Sequence, residues 1–396
     1  MLKRDYLGIA IGAALLASTT PALGYDFEIK DTKLNLGGFI KLTGMYDTDG
    51  TVTAPSNGDL YSVYSTPLDG SPNAELSDFR MTARESRIYL KSSTDTDYGK
   101  LTSHFEGDFF ADIDNDGPTW SNSNGFRIRH AYFKMDNGAH SLLAGQTWTA
   151  FMDFAGTMPS LDFATDPGSS FVRQAQVRYQ YTMGKGHYAA ISLENPTLGL
   201  TKAGPFTHVN SGSSSEDIMP DIVAKYFYAN EYLTVSPRAV VRRFELDGDE
   251  AFGYGLALNT SLKFGDGHKA ILGLMYGDGI GRYAGLGFNA GAGIDAQGNT
   301  DTLKFSSING GVIFSLGNNL RWTLGAGYSE QDDEGFDKGI LTEHANKTAF
   351  SWHTNLFWNI TPDIEYAIGV RSGEVENMGD REGDMTRFQT YLKYTF

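Results

Sequence analysis

Residues 251–265 read AFGYGLALNTSLKFG. Phe252, Tyr254, Leu256, Leu258, Thr260, Leu262 and Phe264 share one parity, and Gly253, Gly255, Ala257, Asn259, Ser261 and Lys263 share the other. Successive side chains of a strand point to opposite faces, so this is a strand with one greasy face and one small, wet face. Strands of a soluble sandwich run to about 5–6 residues. This one is long enough for a tilted membrane crossing, which needs about 9–11.

The same alternation recurs along the chain. In NLRWTLGAGYSE, Leu320, Trp322, Leu324, Ala326 and Tyr328 oppose Arg321, Thr323, Gly325, Gly327 and Ser329. In AFSWHTNLFWNI, Phe350, Trp352, Leu356 and Trp358 oppose Ser351, His353 and Asn355. The chain ends on MTRFQTYLKYTF, with Phe388, Thr390, Leu392, Tyr394 and Phe396 on one parity. Helical spacing is hard to find. The reading is all-β: a transmembrane antiparallel β-barrel of about sixteen strands. They lie near 34–47, 83–94, 99–110, 126–136, 140–147, 172–183, 187–195, 219–229, 232–246, 251–264, 268–276, 301–316, 319–331, 346–358, 363–372 and 385–396. The strand near 301–316 changes parity around Ser307, which predicts a bulge there. Sixteen strands enclose an aqueous lumen.

The connections alternate in length. Tight turns such as 136–139, 184–186, 229–231, 265–268 and 361–363 carry Gly and Asx chemistry. Between them lie longer loops at 48–80, 111–125, 148–171, 196–217, 277–300, 332–345 and 373–384. Short turns at one end and long loops at the other mark outer-membrane barrels. Tyr46, Tyr132, Tyr179, Tyr181, Tyr226, Tyr228, Trp322, Tyr328, Trp358, Tyr366 and Tyr394 gather near strand ends, as interfacial girdles would.

The first 24 residues combine Lys3 and Arg4, a short apolar core from Leu7 to Leu16, and small Ala22 and Gly24 before Tyr25. That is the pattern of a secretory signal peptide, too short to span a bilayer. The expected organisation is therefore a signal peptide over 1–24 and a porin barrel over 25–396, exported to the bacterial outer membrane. Zero cysteines exclude disulfides and thiolate metal sites. A net charge of −16 argues against a nucleic-acid partner.

A basic side chain facing lipid at mid-bilayer costs about 2–4 kcal/mol. Basic residues inside strands are therefore assigned to the lumen: Arg87 and Lys91, Arg127 and Arg129, Arg178, Arg238 and Arg242. Lys41, Lys225, Arg321, Arg371 and Arg387 read the same way, while Arg84 and Arg173 sit at strand ends on the other parity. Such a ladder attracts anions. The plainer alternative is that these arginines satisfy Glu85, Glu106 and Asp108. The loop 148–171 carries Phe151, Phe154, Met158, Leu161 and Phe163, poor choices for an exposed loop. Folded inward, it forms a constriction and sets Asp153, Asp162 or Asp166 opposite the arginines. The alternative is a loop clamped onto a neighbouring subunit.

The segments TARESRIYL, HFEGDFF, FRIRHAYFKM, LLAGQTWTAFMDFAGTMPSLDF and RQAQVRYQ resemble those of the DcaP-like outer-membrane porins. The likeness covers the first half of the barrel well and the second half only in general character. It implies a trimeric sixteen-stranded porin with an inward third loop, taking up small anions such as dicarboxylates. It also implies pore roles for Arg87, Arg127, Arg129 and Arg178. Some relatives carry an N-terminal periplasmic coiled coil. Here YDFEIKDTKLN leads almost directly into the first strand, so none is expected. Phe396 resembles the terminal aromatic read by barrel-assembly machinery, and lipid and lipopolysaccharide are the expected surroundings.

Other motifs are weak. Asp112, Asp114 and Asp116 precede Gly117 as in a calcium loop, but Ser123 stands where the closing Glu belongs. No HExxH, GxSxG or close histidine pair suggests catalysis, so neither an enzyme nor a cofactor is expected. The expected function is an anion-selective diffusion porin. Its rivals are an unselective or cation-favouring porin, a barrel-scaffold outer-membrane enzyme, and a secreted soluble β-protein.

Overall fold

The computed structural model describes residues 24–50, 59–111, 125–162, 166–197, 208–285, 288–317 and 319–396. Residues 1–23 of the expected signal peptide 1–24, the calcium-loop candidates Asp112, Asp114 and Asp116, and Phe163 lie outside them. The described strands are β1 (Tyr25–Ile29), β2 (Thr32–Asp49), β3 (Asp78–Thr82), β4 (Arg87–Thr96), β5 (Gly99–Ala111), β6 (Gly125–Asp136), β7 (His140–Trp148), β8 (Arg173–Gly184), β9 (His187–Glu194), β10 (Asp221–Ala229), β11 (Leu233–Leu246), β12 (Asp249–Phe264), β13 (His268–Asp278), β14 (Ala292–Ile294), β15 (Thr300–Thr302), β16 (Lys304–Ser315), β17 (Leu320–Gln331), β18 (Asn346–Asn359), β19 (Ile364–Asn377) and β20 (Glu382–Thr395). Among the described residues no helix is long and apolar enough to cross a membrane. The crossing therefore falls to strands.

Each wall strand pairs antiparallel with the next, and β2 closes the ring on β20. β3 and β4 share one lane: β3 pairs with residues 43–47 of β2, and β4 with residues 32–39. β1 and β20 share another. Phe396 exchanges backbone hydrogen bonds with Gly38, and Tyr25 then sits opposite Leu36. The N-terminal strand thus takes up the lane where the C-terminal strand stops. Counting shared lanes once gives a closed barrel of sixteen strands. β14 and β15 form a small separate ribbon in the loop before β16.

The alternation sorts the faces as the sequence predicts. On β12, Leu256 is 55% exposed to the outside, while Ala257 and Ser261 are buried inside. Tyr179, Tyr181, Tyr226, Tyr228, Trp358 and Tyr394 all stand outward. Tyr132 is the exception. The β5–β6 register slips between Glu106 and Gly107. The bulge turns both Arg129 and His130 inward and flips the parity beyond them, so Tyr132 faces the lumen beside His104.

β16 corrects the expected bulge at Ser307. Its register is unbroken against both β13 and β17. Phe305 faces inward because it packs on Phe288 of an inserted loop. An apolar residue on the lumen side had looked like a parity change. The strand expected from residue 83 begins instead at Arg87, and the expected loop 373–384 is a tight turn between β19 and β20.

Leu256 lies near the middle of β12, on the lipid side. Leu256→Arg is expected to cost about 2–4 kcal/mol of stability in lipid vesicles, against little change for Leu256→Phe. Urea unfolding of the two variants checks this; equal midpoints would contradict the facing assigned here.

Candidate pore constriction

The loop between β7 and β8, residues 149–172, runs inward and crosses to the far wall. Wall side chains hold its described residues at several points. Lys225 of β10 bridges Asp153 at 2.5 Å and donates to the Met152 carbonyl at 3.2 Å. Arg238 of β11 donates to the Phe151 carbonyl at 2.6 Å, and Asn259 of β12 to the Asp153 carbonyl at 2.6 Å. Farther round, Arg371 of β19 donates to Ser160 Oγ at 2.9 Å, and Lys41 of β2 to the Leu161 carbonyl at 3.1 Å. Arg387 of β20 meets Asp162 at 3.3 Å. The loop then doubles back. Asp166 reaches His353 of β18 at 2.8 Å and Arg371 at 3.1 Å. The Gly168 carbonyl accepts from Asn309 and Ser307 of β16 at 3.1 and 3.2 Å.

Two glycines of β17 make room for this path. A Cβ at Gly327 would stand 2.4 Å from the Pro167 carbonyl oxygen, and one at Gly325 would stand 2.7 Å from the His353 ring. Inward glycines on a strand mark a close approach by another segment. The apolar loop residues then bury against the wall: Phe151 joins Val223, Val240, Ala257 and Met275, and Leu161 joins Phe357, Ala367 and Tyr391.

Two further loops fill the same half of the lumen. In residues 59–66, Tyr61 donates its backbone N–H to Asp162 at 2.9 Å, and the Tyr64 hydroxyl accepts from Gly168 N–H at 3.2 Å. In residues 279–291, the Tyr283 hydroxyl donates to Asp221 at 2.9 Å. Arg242 gathers these pieces: it bridges Asp221 at 3.1 Å and donates to the carbonyls of Gly279, Ile280 and Thr197.

The wall from β4 to β8 carries a different set. Arg127 grips Asp108 through two bonds of 2.8 and 2.9 Å. Arg129 spans Glu106 at 2.7 Å and Asp108 at 3.0 Å. Arg87 lies 3.9 Å from Glu106. Arg173 and Arg129 both lie over the Trp148 ring. Arg178 donates to the Trp148 carbonyl at 2.6 Å and to Gln176 at 2.5 Å. Below them, His104 stacks on His130 at 5.1 Å, flanked by Tyr89 and Tyr132. Arg127 keeps 31% of its side chain exposed, against 3% for Arg129. Arg87, Tyr89, Tyr132 and Arg178 are half-buried, and Lys91 is exposed. The lumen is thus filled along its far wall and lined with cations and rings on the near wall.

A model of the DcaP outer membrane protein family matches residues 14–396. The chain belongs to that family. It also superposes on the crystal structure of the outer membrane channel DcaP of Acinetobacter baumannii. The TM-score is 0.78 at 25% identity, covering 93% of this chain and 99% of that one. The anion-selective porin from Comamonas acidovorans shares the fold at TM-score 0.58 and 12% identity, covering 92% of this chain and 100% of its own. So does OmpT of Vibrio cholerae in its trimer form, at 0.55 and 12%, covering 93% and 100%. No curated protein matches in sequence. This DcaP-family chain is an outer-membrane porin.

The fold of this family member rearranges the roles expected of several residues. Arg238 and Arg242 are 5% and 1% exposed and clamp loops; they do not line open water. Asp153, Asp162 and Asp166 belong to the inward loop, but each faces a wall cation instead of the arginines of β4–β8. A loop clamped onto a neighbouring subunit is ruled out by these internal anchors. Arg84 pairs with Asp59 at 3.1 Å, and Glu85 with Lys41 at 2.5 Å. The inner aromatic shelf and the two additional inserted loops had not been foreseen. Gly325 and Gly327 on the wet parity were the available signal.

Burial alone would raise the Asp153 carboxyl, but Lys225 and Arg238 outweigh it and hold it at about 2, against an ordinary 3.8. A depressed carboxyl adds stability that is complete above its unfolded value and fades as pH falls to the folded one. Single-channel conductance should therefore be level from pH 7 to about 4, and grow noisier toward pH 2 as the loop loosens. A transition near neutrality would contradict this anchor. Lys225→Met removes the cation and leaves Asp153 buried beside Arg238 alone. About 3 kcal/mol of loop docking should be lost. Bilayer recordings should then show larger, fluctuating conductance from a barrel that still folds.

Proposed function

We propose that this porin selects small anions, dicarboxylates first among them, and works as a homotrimer. One observation carries the reading: the wall opposite the inward loop concentrates Arg84, Arg87, Arg127, Arg129, Arg173 and Arg178 against Asp59, Glu85, Glu106, Asp108 and Glu194. Guanidinium groups outnumber carboxylates there, and a low-dielectric wall focuses their field on the lumen. Selectivity of this kind needs contacts weak enough for release. Family membership supports the solute class. The trimer form of OmpT shares the fold, which supports the assembly. Phe396 at the sealed edge of the barrel suits recognition by assembly machinery, and the exposed aromatic girdle suits lipid and lipopolysaccharide. The expected signal peptide of residues 1–24 fits export to the outer membrane. Transport of this sort requires no catalysis.

A cation-favouring porin is the second reading, because Glu106 and Asp108 take up two of these arginines and the chain carries −16 overall. Reversal potentials under a salt gradient separate the two. The wild-type channel should prefer chloride over potassium. Removing Arg129 and Arg178 together should reduce that preference by about a factor of two or more. Potassium preference in the wild type would end the anion reading, and an unchanged ratio in the double variant would end the role given to this wall.

A further inference from the structure

The ion pairs above occupy most arginines of the lumen. Lys263 and Lys269 differ. They stand directly opposite one another on β12 and β13. Their parity is that of buried Ser261 and Ile271, the next pair along, so both face inward. They are the last such pair before the turn at residues 265–267, at the short-turn, periplasmic end of the barrel. Neither has a salt bridge among the described residues. The acid within electrostatic reach of Lys269 is Asp153, which Lys225 already holds at 2.5 Å. Asp266 in the turn bridges neither lysine.

Like charges directly opposite on a sheet destabilise it, and their Cβ atoms lie about 5 Å apart. Here Lys263 is exposed and Lys269 half-buried. Two such groups on adjacent strands can hold an oxyanion between them. On the far side of the barrel Lys91 also faces inward, its ammonium 4.3 Å over the Tyr89 ring.

We infer that Lys263 and Lys269 form an anion station at the periplasmic mouth, binding small divalent oxyanions as they leave the constriction. The inference rests on the proposed anion preference and assigns its final step. The site is distinct from the arginine wall: it lies on β12 and β13, beneath the inward loop. An ammonium pair without a salt-bridged carboxylate attracts an anion yet releases it easily, because the exposed Lys263 stays hydrated.

The full-length porin in planar bilayers tests this, with sulfate as the probe. K263Q/K269Q removes both charges while keeping length and polarity, and K269E reverses one. In the wild type, sulfate added on the periplasmic side should reduce chloride current more than sulfate added on the other side. The double variant should lose that sidedness, and its anion-to-cation permeability ratio should fall about two-fold. K269E should lower the ratio further. Conductance near the wild-type level shows that the variants are folded. If the wild type prefers anions but the double variant keeps both the ratio and the sided block, the station is wrong. If the wild type prefers cations, the broader proposal fails, and sulfate block alone then decides this site: its absence overturns the station.

Discussion

Everything in this molecule depends on closing the sheet. Hydrocarbon offers no partner to a peptide group, so each wall strand must find its hydrogen bonds in two neighbours. The seam between β2 and β20 completes that requirement, with Phe396 and Gly38 as its last pair. β1 then follows in the same lane. Once the ring is closed, backbone satisfaction no longer constrains the side chains. The outer face can be as apolar as lipid demands. The inner face is free to carry charge, which is where function enters.

The freedom of the inner face is used in an asymmetric way. Along β10–β13 and β16–β20 the lumen holds inserted loops and behaves like a protein core, with Phe151, Tyr283 and Phe288 fully buried. The buried ion pairs there are structural. Arg387 meets Asp47 at 2.6 and 2.9 Å, with both side chains almost wholly out of water. Such pairs add little net stability, because desolvation offsets attraction, but they are costly to break singly. Their effect is to fix where a loop sits. A loop fixed at several separate points presents one eyelet instead of many.

The sequence makes the wall legible and the plug much less so. Strand count, lipid-facing residues and the inward loop all follow from alternation, as on β12, and from an oily run where an outer loop should be polar. Alternation fails where the lumen itself turns apolar. Phe305 faces inward against Phe288, and only the loop seated there explains it. It fails again at Arg129 and His130, where a bulge shifts the parity without any change in composition. Parity also says which face a cation takes but not which partner it finds. Arg238 and Arg127 look alike in sequence. One grips the Phe151 carbonyl in a buried site, and the other borders water. The partner comes from a loop distant in the chain, so no local pattern records it.

The two kinds of cation divide this work in keeping with their chemistry. Guanidinium is planar, weakly hydrated and able to make several aligned bonds at once. It suits sites such as Arg242, which serves a carboxylate and three carbonyls out of water. Ammonium is compact and strongly hydrated, and it loses more on burial. Where lysine is buried here, it has both a carboxylate and a carbonyl: Lys225 with Asp153 and Met152, Lys41 with Glu85 and Leu161. Where it has neither, as at Lys263, it is exposed. Under the proposed anion preference, a passing anion meets an arginine wall already partly neutralised by carboxylates, and then lysines without a salt-bridged carboxylate. Arginine sets the shape of the path, and unpaired lysine leaves a residual field along it. Neither residue type could exchange places without burying an unsatisfied ammonium or over-holding the solute at the exit.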